Sequence, residues 1–219
     1  MLFRSTGEVS LTDIQSNITI RALDLCSRIW MGQYDHMSFD RRFLVKPGSD
    51  WKRVDENELF RNNYFLRIRA ITLPECDPGL HGSYGIWSPK TDIRAVDAYD
   101  MQQIIRYKLS YYRQPEGGDT VNFNEPVIEG RFPRVVCDVS GPQESPVVRT
   151  KMNKEQLGIV RDAVHIYDHF VKGEYRDLFS YYTNDETALR LAAECEQYNN
   201  KNTSRIKGLA QLLKKLDKM

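Results

Sequence analysis

Hydrophobic positions recur along this chain at helical spacing, and one such stretch is written twice. LTDIQSNITIRALDLCSRIWMGQYDHM at 11–37 aligns without a gap with MNKEQLGIVRDAVHIYDHFVKGEYRDL at 152–178. Gln15 meets Gln156, Ile18 meets Ile159, Ala22 meets Ala163, Gly32 meets Gly173 and Tyr34 meets Tyr175, and most other apolar positions meet apolar ones. Internal repetition decides architecture before any single motif does.

At about 100° per residue, Ile14, Ile18, Ala22, Leu23, Leu25, Cys26, Ile29 and Trp30 share one wide half of a helix. Ile159, Val160, Ala163, Val164, Ile166, Tyr167, Phe170 and Val171 share the same arc in the second copy, with Glu155 standing where Ile14 stands. Thr12 and Asn153 are good N-cap residues, each followed three positions later by a glutamine that can reach back to the cap's own N–H. Gly32 and Gly173 stand where a left-handed residue ends a helix. These signals predict helices over 13–31 and 154–172. A weak strand pattern precedes each, at 8–11 and 147–151, so each unit is a strand followed by a helix. A half-cylinder this wide needs burial on two sides, and the two helices are expected to pack on each other near the centre of one core.

Elsewhere the pattern predicts a helix opened by Asp55 and Glu58, with Phe60, Tyr64, Ile68 and Ile71 on its buried face. A Gly- and Pro-rich loop at 73–90 follows, then a long helix from Ser88–Thr91 to about Arg113 with Ala98, Met101, Ile105, Leu109 and Tyr112 inward. After a turn at 116–119 come the strand-like runs TVNF, RVVCDV and PVVRT. Helices near 184–197, capped by Thr183 with Glu186, and near 204–217 complete the chain. The expectation is an α+β fold, mostly α-helical. It holds an internally duplicated strand–helix unit (near 8–37 and 147–178) and a small antiparallel sheet. It forms one domain over 1–219, and the Pro-rich turns at 126–146 are the place where it would subdivide.

Composition narrows the function classes. With 219 residues and a net charge of +1, the chain lacks the basic excess of a general nucleic-acid or membrane-surface binder. Charged residues at 28% and aromatics at 11% mark a globular chain. Four scattered cysteines, Cys26, Cys76, Cys137 and Cys195, form no C-x-x-C pair and read as reduced structural thiols. No apolar run reaches membrane-spanning length and no signal-peptide core opens the chain, which predicts a cytoplasmic protein.

Several residue groups have the types and spacing that chemistry requires. His165 and His169, four apart, can present two imidazoles to one metal, with Asp162 and Asp168 nearby. Their counterparts in the first copy are Asp24 and Arg28, so a solvated polar stripe is the simpler reading and no metal site is expected. HGSYG at 81–85 has His81 where a nucleophile elbow needs glycine, which weakens Ser83 with His81 as a catalytic pair. Gly79, Gly82 and Gly85 match neither a dinucleotide fingerprint nor a phosphate loop, so no cofactor is expected.

The long helix offers a better cluster. Tyr99, Gln103, Arg106 and Ser110 lie opposite its apolar face, and a ring, an amide and a guanidinium in a row can hold a phosphate or a base. Together with Tyr84 and Trp87 of the preceding loop, Tyr99, Gln103 and Arg106 are the expected ligand contacts. The repeat-related pairs Gln33-Tyr34 and Glu174-Tyr175 are read first as structural plugs. The basic tail RIKGLAQLLKKLDKM, apolar at Ile206, Leu209, Leu212, Leu213 and Leu216, is expected to dock on the core, with self-association next.

The phrases ALDLCSRIWMGQYDHM, AYDMQQIIRYKLSYYR and GGDTVNFNEP together resemble uncharacterised proteins of phages and prophages in gut Firmicutes. The likeness covers about 11–37 and 82–126 and carries no activity or catalytic residue with it. It implies a phage context, in which accessory proteins of this size interfere with host defence. The resulting expectation is a non-enzymatic phage accessory protein in the bacterial host cytoplasm, neutralising a defence protein or a signalling nucleotide. The alternatives are a metal-dependent enzyme acting on nucleotides or nucleic acid, and a phage structural or assembly protein that forms homo-oligomers through the C-terminal helix.

Overall fold

The computed structural model describes residues 6–34, 56–75, 84–116, 126, 129–131, 135–198, 206 and 208–219, with the side chains of 56–60 and 62 excepted. The expected Asp55–Glu58 cap, the Phe60 contact, His81 and Ser83, Gly79 and Gly82, Cys76 and the TVNF strand lie outside the described residues. The fold is α+β and mostly helical: β1 (Thr6–Thr12), α1 (Asp13–Trp30), α2 (Glu56–Thr72), α3 (Ile93–Arg113), β2 (Val136–Ser140), β3 (Val147–Asn153), α4 (Lys154–Lys172), α5 (Tyr175–Ser180), α6 (Glu186–Cys195) and α7 (Leu209–Leu216). A single 3-10 turn, Glu196–Tyr198, follows α6. Contacts divide the chain into two compact units: residues 1–27, 93–164 and 206–219, and residues 28–92 and 165–205. The stretch 126–146 falls wholly inside the first.

In the first unit the sheet has the order β1-β3-β2, antiparallel throughout. The strands β1 and β3 are the two repeats' own, paired from Thr6 opposite Asn153 to Thr12 opposite Val147. The two copies meet along this ladder. The helices follow at once because the last strand residue is also the cap. Thr12 N–H donates to Gln15 Oε1 at 3.1 Å and Gln15 N–H to Thr12 Oγ1 at 3.3 Å. Asn153 and Gln156 make the same reciprocal pair at 2.9 and 2.8 Å. Glu155 is exposed and Ile14 is 43% exposed, so the one mismatch in the apolar arc falls at the surface in both copies.

The helix α3 begins at Ile93, later than the sequence signals suggest, because Ser88 to Thr91 close a turn of their own. Ala98, Met101, Ile105 and Leu109 are buried as expected, while Tyr112 is half-exposed and donates its hydroxyl to the Gly141 carbonyl. The terminal α7 buries Leu209, Leu212 and Leu216 within the chain, and Lys215 donates to the Ser10 carbonyl.

In the second unit both repeat helices end alike. Gly32 and Gly173 have φ of 77° and 73°. Gly32 N–H donates to the Ile29 carbonyl and Gln33 N–H to that of Arg28, both at 2.9 Å. Gly173 to Phe170 at 3.1 Å and Glu174 to His169 at 2.9 Å repeat the pattern, a Schellman ending in each copy. The following tyrosines, Tyr34 and Tyr175, both turn into an aromatic core. Phe179 packs 5.2 Å from Tyr34 and 5.9 Å from Phe65, and Phe65 lies 5.2 Å from Tyr175. Phe65 therefore sets the inner face of α2, which is Arg61, Phe65, Ile68 and Arg69. Of the expected face Ile68 is buried, while Tyr64 and Ile71 are half-buried, and Tyr64 lies under the Arg67 guanidinium. The short α5 was not legible, since six residues after a helix-ending glycine give no period to read. The cap of α6 is Asp185, whose carboxylate accepts from Thr187 and Ala188 N–H at 2.8 and 3.0 Å. Thr183, the expected cap, instead accepts from Asp185 N–H at 3.0 Å.

Candidate functional site

Three groups of residues stand out in the fold, and the sequence reading anticipated parts of each. The first lies in the unit that holds α3. Tyr99, Gln103, Arg106 and Ser110 form the expected stripe, and each is half-buried, with buried Ala95 and Val96 on its two flanks. The Gln103 Oε1 is buried with no hydrogen-bond partner among the described residues. Buried amide oxygens are normally satisfied.

The same helix carries a feature the sequence reading missed. Asp97 and Asp100 are three apart, on one side of α3, and both are buried. Asp100 Oδ2 accepts from Gly130 N–H at 2.6 Å and Glu129 N–H at 3.2 Å. Asp97 accepts from Arg131 N–H at 2.8 Å and binds its guanidinium in a fork, at 2.9 and 2.7 Å. A Cβ at position 130 would stand 2.6 and 2.7 Å from the two carboxylates, so only glycine admits this approach. Burial pushes the Asp100 carboxyl up, while the Gly130 and Glu129 amides oppose that shift. These carboxylates are saturated by the chain itself and act as a clasp. The aspartate spacing was visible in sequence, but its partners lie about thirty residues away and no local rule links them.

The second group is in the other unit. Tyr84 donates its N–H to the Met31 carbonyl at 2.9 Å, which ties residues 84–91 to the Schellman turn ending α1. Ser88 N–H to the Gly85 carbonyl at 2.9 Å, Thr91 N–H to that of Ser88 at 3.0 Å and Thr91 Oγ1 to Gly85 at 2.6 Å stitch the turn internally. Lys90 pairs with Glu75 at 2.5 Å. On this built turn Trp87 is 77% exposed. Tyr84, on the same turn, is half-buried. The expected contacts thus fall into two sets, Tyr99, Gln103 and Arg106 in one unit and Tyr84 and Trp87 in the other.

The third group surrounds the end of α4. His169 Nδ1 lies 2.8 Å from Glu174 Oε2, and Asp177 brings a further carboxylate. One ligand-type atom from each of these three residues lies within 4.8 Å of the others. The structure thus gathers His169 with Glu174 and Asp177, where the sequence spacing had offered His165, Asp162 and Asp168 as its companions. Asp168 is bonded instead to Lys172 at 2.6 Å, which raises the lysine's pKa.

Two of the cysteines offer little reactivity. Cys26, Cys137 and Cys195 are buried, and burial pushes the thiols of Cys137 and Cys195 up to about 12. A thiol is a poor nucleophile when its thiolate is disfavoured to that extent. Among the described residues no helix is long and apolar enough to cross a membrane. Comparison with protein families, with curated proteins and with solved structures finds nothing that matches this chain.

Proposed function

We propose that the chain is a non-enzymatic phage accessory protein that binds and neutralises a host-defence component in the bacterial cytoplasm, with the Trp87 turn as its contact. The observation that carries this reading is an indole 77% exposed on a turn stitched by its own hydrogen bonds. Tryptophan is the residue type most enriched at the energetic centres of protein interfaces, and a pre-ordered carrier lowers the entropy lost on binding. A defence protein is therefore the favoured component. The resemblance to phage and prophage proteins supplies the setting, and the use of Asp97 and Asp100 as a clasp leaves those buried carboxylates to structure rather than to acid–base work.

The stripe of Tyr99, Gln103 and Arg106 supports the other form of the same proposal, a signalling nucleotide, because it sets a ring, an amide and a guanidinium on one half-buried helix face. The test is phage plating on strains that each carry one defence system, with and without the protein. The wild-type chain restores plaques against its target system and Trp87→Ala does not. Restoration by Trp87→Ala but not by Tyr99→Ala/Arg106→Ala assigns the contact to the stripe. Restoration by both variants, or no restoration by the wild type on any system, overturns the proposal.

A further inference from the structure

The second repeat departs from the first at the end of its helix in a way the fold does not require. In the first copy Arg28 Nη1 donates to Gln33 Oε1 at 3.2 Å; in the second, His169 and Glu174 hold the same two positions at 2.8 Å. The backbone bonds beneath both pairs are the same, Gln33 to Arg28 and Glu174 to His169, each at 2.9 Å. A guanidinium and a neutral amide thus span this ending as well as an imidazole and a carboxylate do. The change to two metal-ligating groups, joined by Asp177 as a third, is an addition to the structural role.

We propose that His169, Glu174 and Asp177 form a binding site for a divalent transition cation, with zinc the best match. One imidazole nitrogen and two carboxylate oxygens are ligand types zinc accepts, and two carboxylates balance its charge. Tetrahedral zinc, with bonds of about 2.0–2.2 Å, holds its ligand atoms about 3.3 Å apart. A spread of up to 4.8 Å closes to that by side-chain rotation. The residues that must rotate are free to do so, since Asp177 is exposed and the Glu174 side chain is 44% exposed. Their carriers are fixed, by Glu174 N–H on the His169 carbonyl and by Leu178 N–H on the Glu174 carbonyl at 3.0 Å. Lys172 adjoins this corner, and its ammonium is bonded to Asp168. Three protein ligands leave a fourth position for water or for a donor from another molecule.

The test uses the full chain stripped with a chelator and titrated with zinc chloride by calorimetry, with the melting temperature followed in parallel. The expected result is one zinc per chain at low-micromolar affinity and a raised Tm. Asp177→Asn is expected to weaken binding about tenfold or more, as losing a direct ligand costs at least what losing an outer partner does. His169→Arg/Glu174→Gln, which installs the first copy's pair, is expected to abolish binding while holding the metal-free Tm within about 2 °C of wild type. Absence of saturable uptake overturns the proposal, and so does uptake that both variants leave unchanged. Asp177 is exposed, so Asp177→Asn decides the matter by itself if the double variant does not fold.

Discussion

Val9 and Thr150 face each other across the β1–β3 ladder and are also each other's counterparts in the two repeats, 141 positions apart. Any antiparallel pair has a local two-fold axis, but a duplication is symmetric only where that axis passes between equivalent residues. Here it does, and the ladder ends confirm it: Thr6 faces Asn153, the counterpart of Thr12, and Thr12 faces Val147, the counterpart of Thr6. Thr150 Oγ1 donates to the Val9 carbonyl at 3.3 Å at the buried centre. Along the ladder the two copies are related as paired strands at a two-fold dimer interface are.

The symmetry makes the caps comparable. Thr12→Ala and Asn153→Ala each remove one acceptor from a helix start, at a cost of about 1 kcal/mol. The Asn153 cap is the buried one, and leaving Gln156 N–H without a partner there adds a desolvation penalty of about 1–3 kcal/mol. Urea unfolding of the two variants is therefore expected to rank Asn153→Ala as the more destabilised. Equal midpoints would show that burial of the second cap has no energetic weight.

Glycines separate in the same experiment. Gly173 has φ 73° and Gly130 abuts two carboxylates, so Gly173→Ala loses about 1 kcal/mol and Gly130→Ala loses more by prising open the clasp. Gly158 sits inside α4 with open space where a Cβ would stand, and Gly158→Ala gains about 0.5–1 kcal/mol. A melting temperature lowered by Gly158→Ala would contradict the helix geometry there.

Asp100 gives the chain a pH dependence of definite sign. Its carboxyl is raised by burial in the fold, so the folded state binds the proton more tightly than the unfolded chain does. The contribution to stability is therefore full below the ordinary carboxyl range and is lost as pH rises through the raised folded value. Asp100→Asn removes the titration. Wild type measured against Asp100→Asn is expected to lose relative stability as pH climbs from the ordinary carboxyl range upward, and a difference that grows in the opposite sense would refute the burial argument.

Much of this fold was legible because it is local. The strand, cap, helix and glycine stop of each repeat are near-neighbour signals, and Thr12, Gln15, Asn153 and Gln156 took the roles their spacing predicts. What escaped depends on distant partners. The inner face of α2 is set by Phe65 meeting Tyr175 and Phe179, more than a hundred residues on. The Asp97–Arg131 fork spans 34 positions. The candidate sites follow the same division: the α3 stripe was visible as a helical period, while His169 joined Glu174 and Asp177 only once Gly173 had turned the chain.

The terminal helix gives the last prediction. Leu209, Leu212 and Leu216 of α7 are buried in the same chain, and Gly208 before it brings Ile14 to 3.0 Å of where a Cβ would stand. An apolar face already covered by its own core contributes to folding, and truncating a fully buried leucine costs about 2–5 kcal/mol. Leu212→Ala is expected to fall in that range by chemical denaturation, with its mass by light scattering unchanged from wild type. The exposed side of α7 carries Lys214 and Gln211, so Gln211→Ala is expected to leave stability within about 0.5 kcal/mol. A mass that drops on Leu212→Ala without loss of stability would instead show that this leucine row joins two chains.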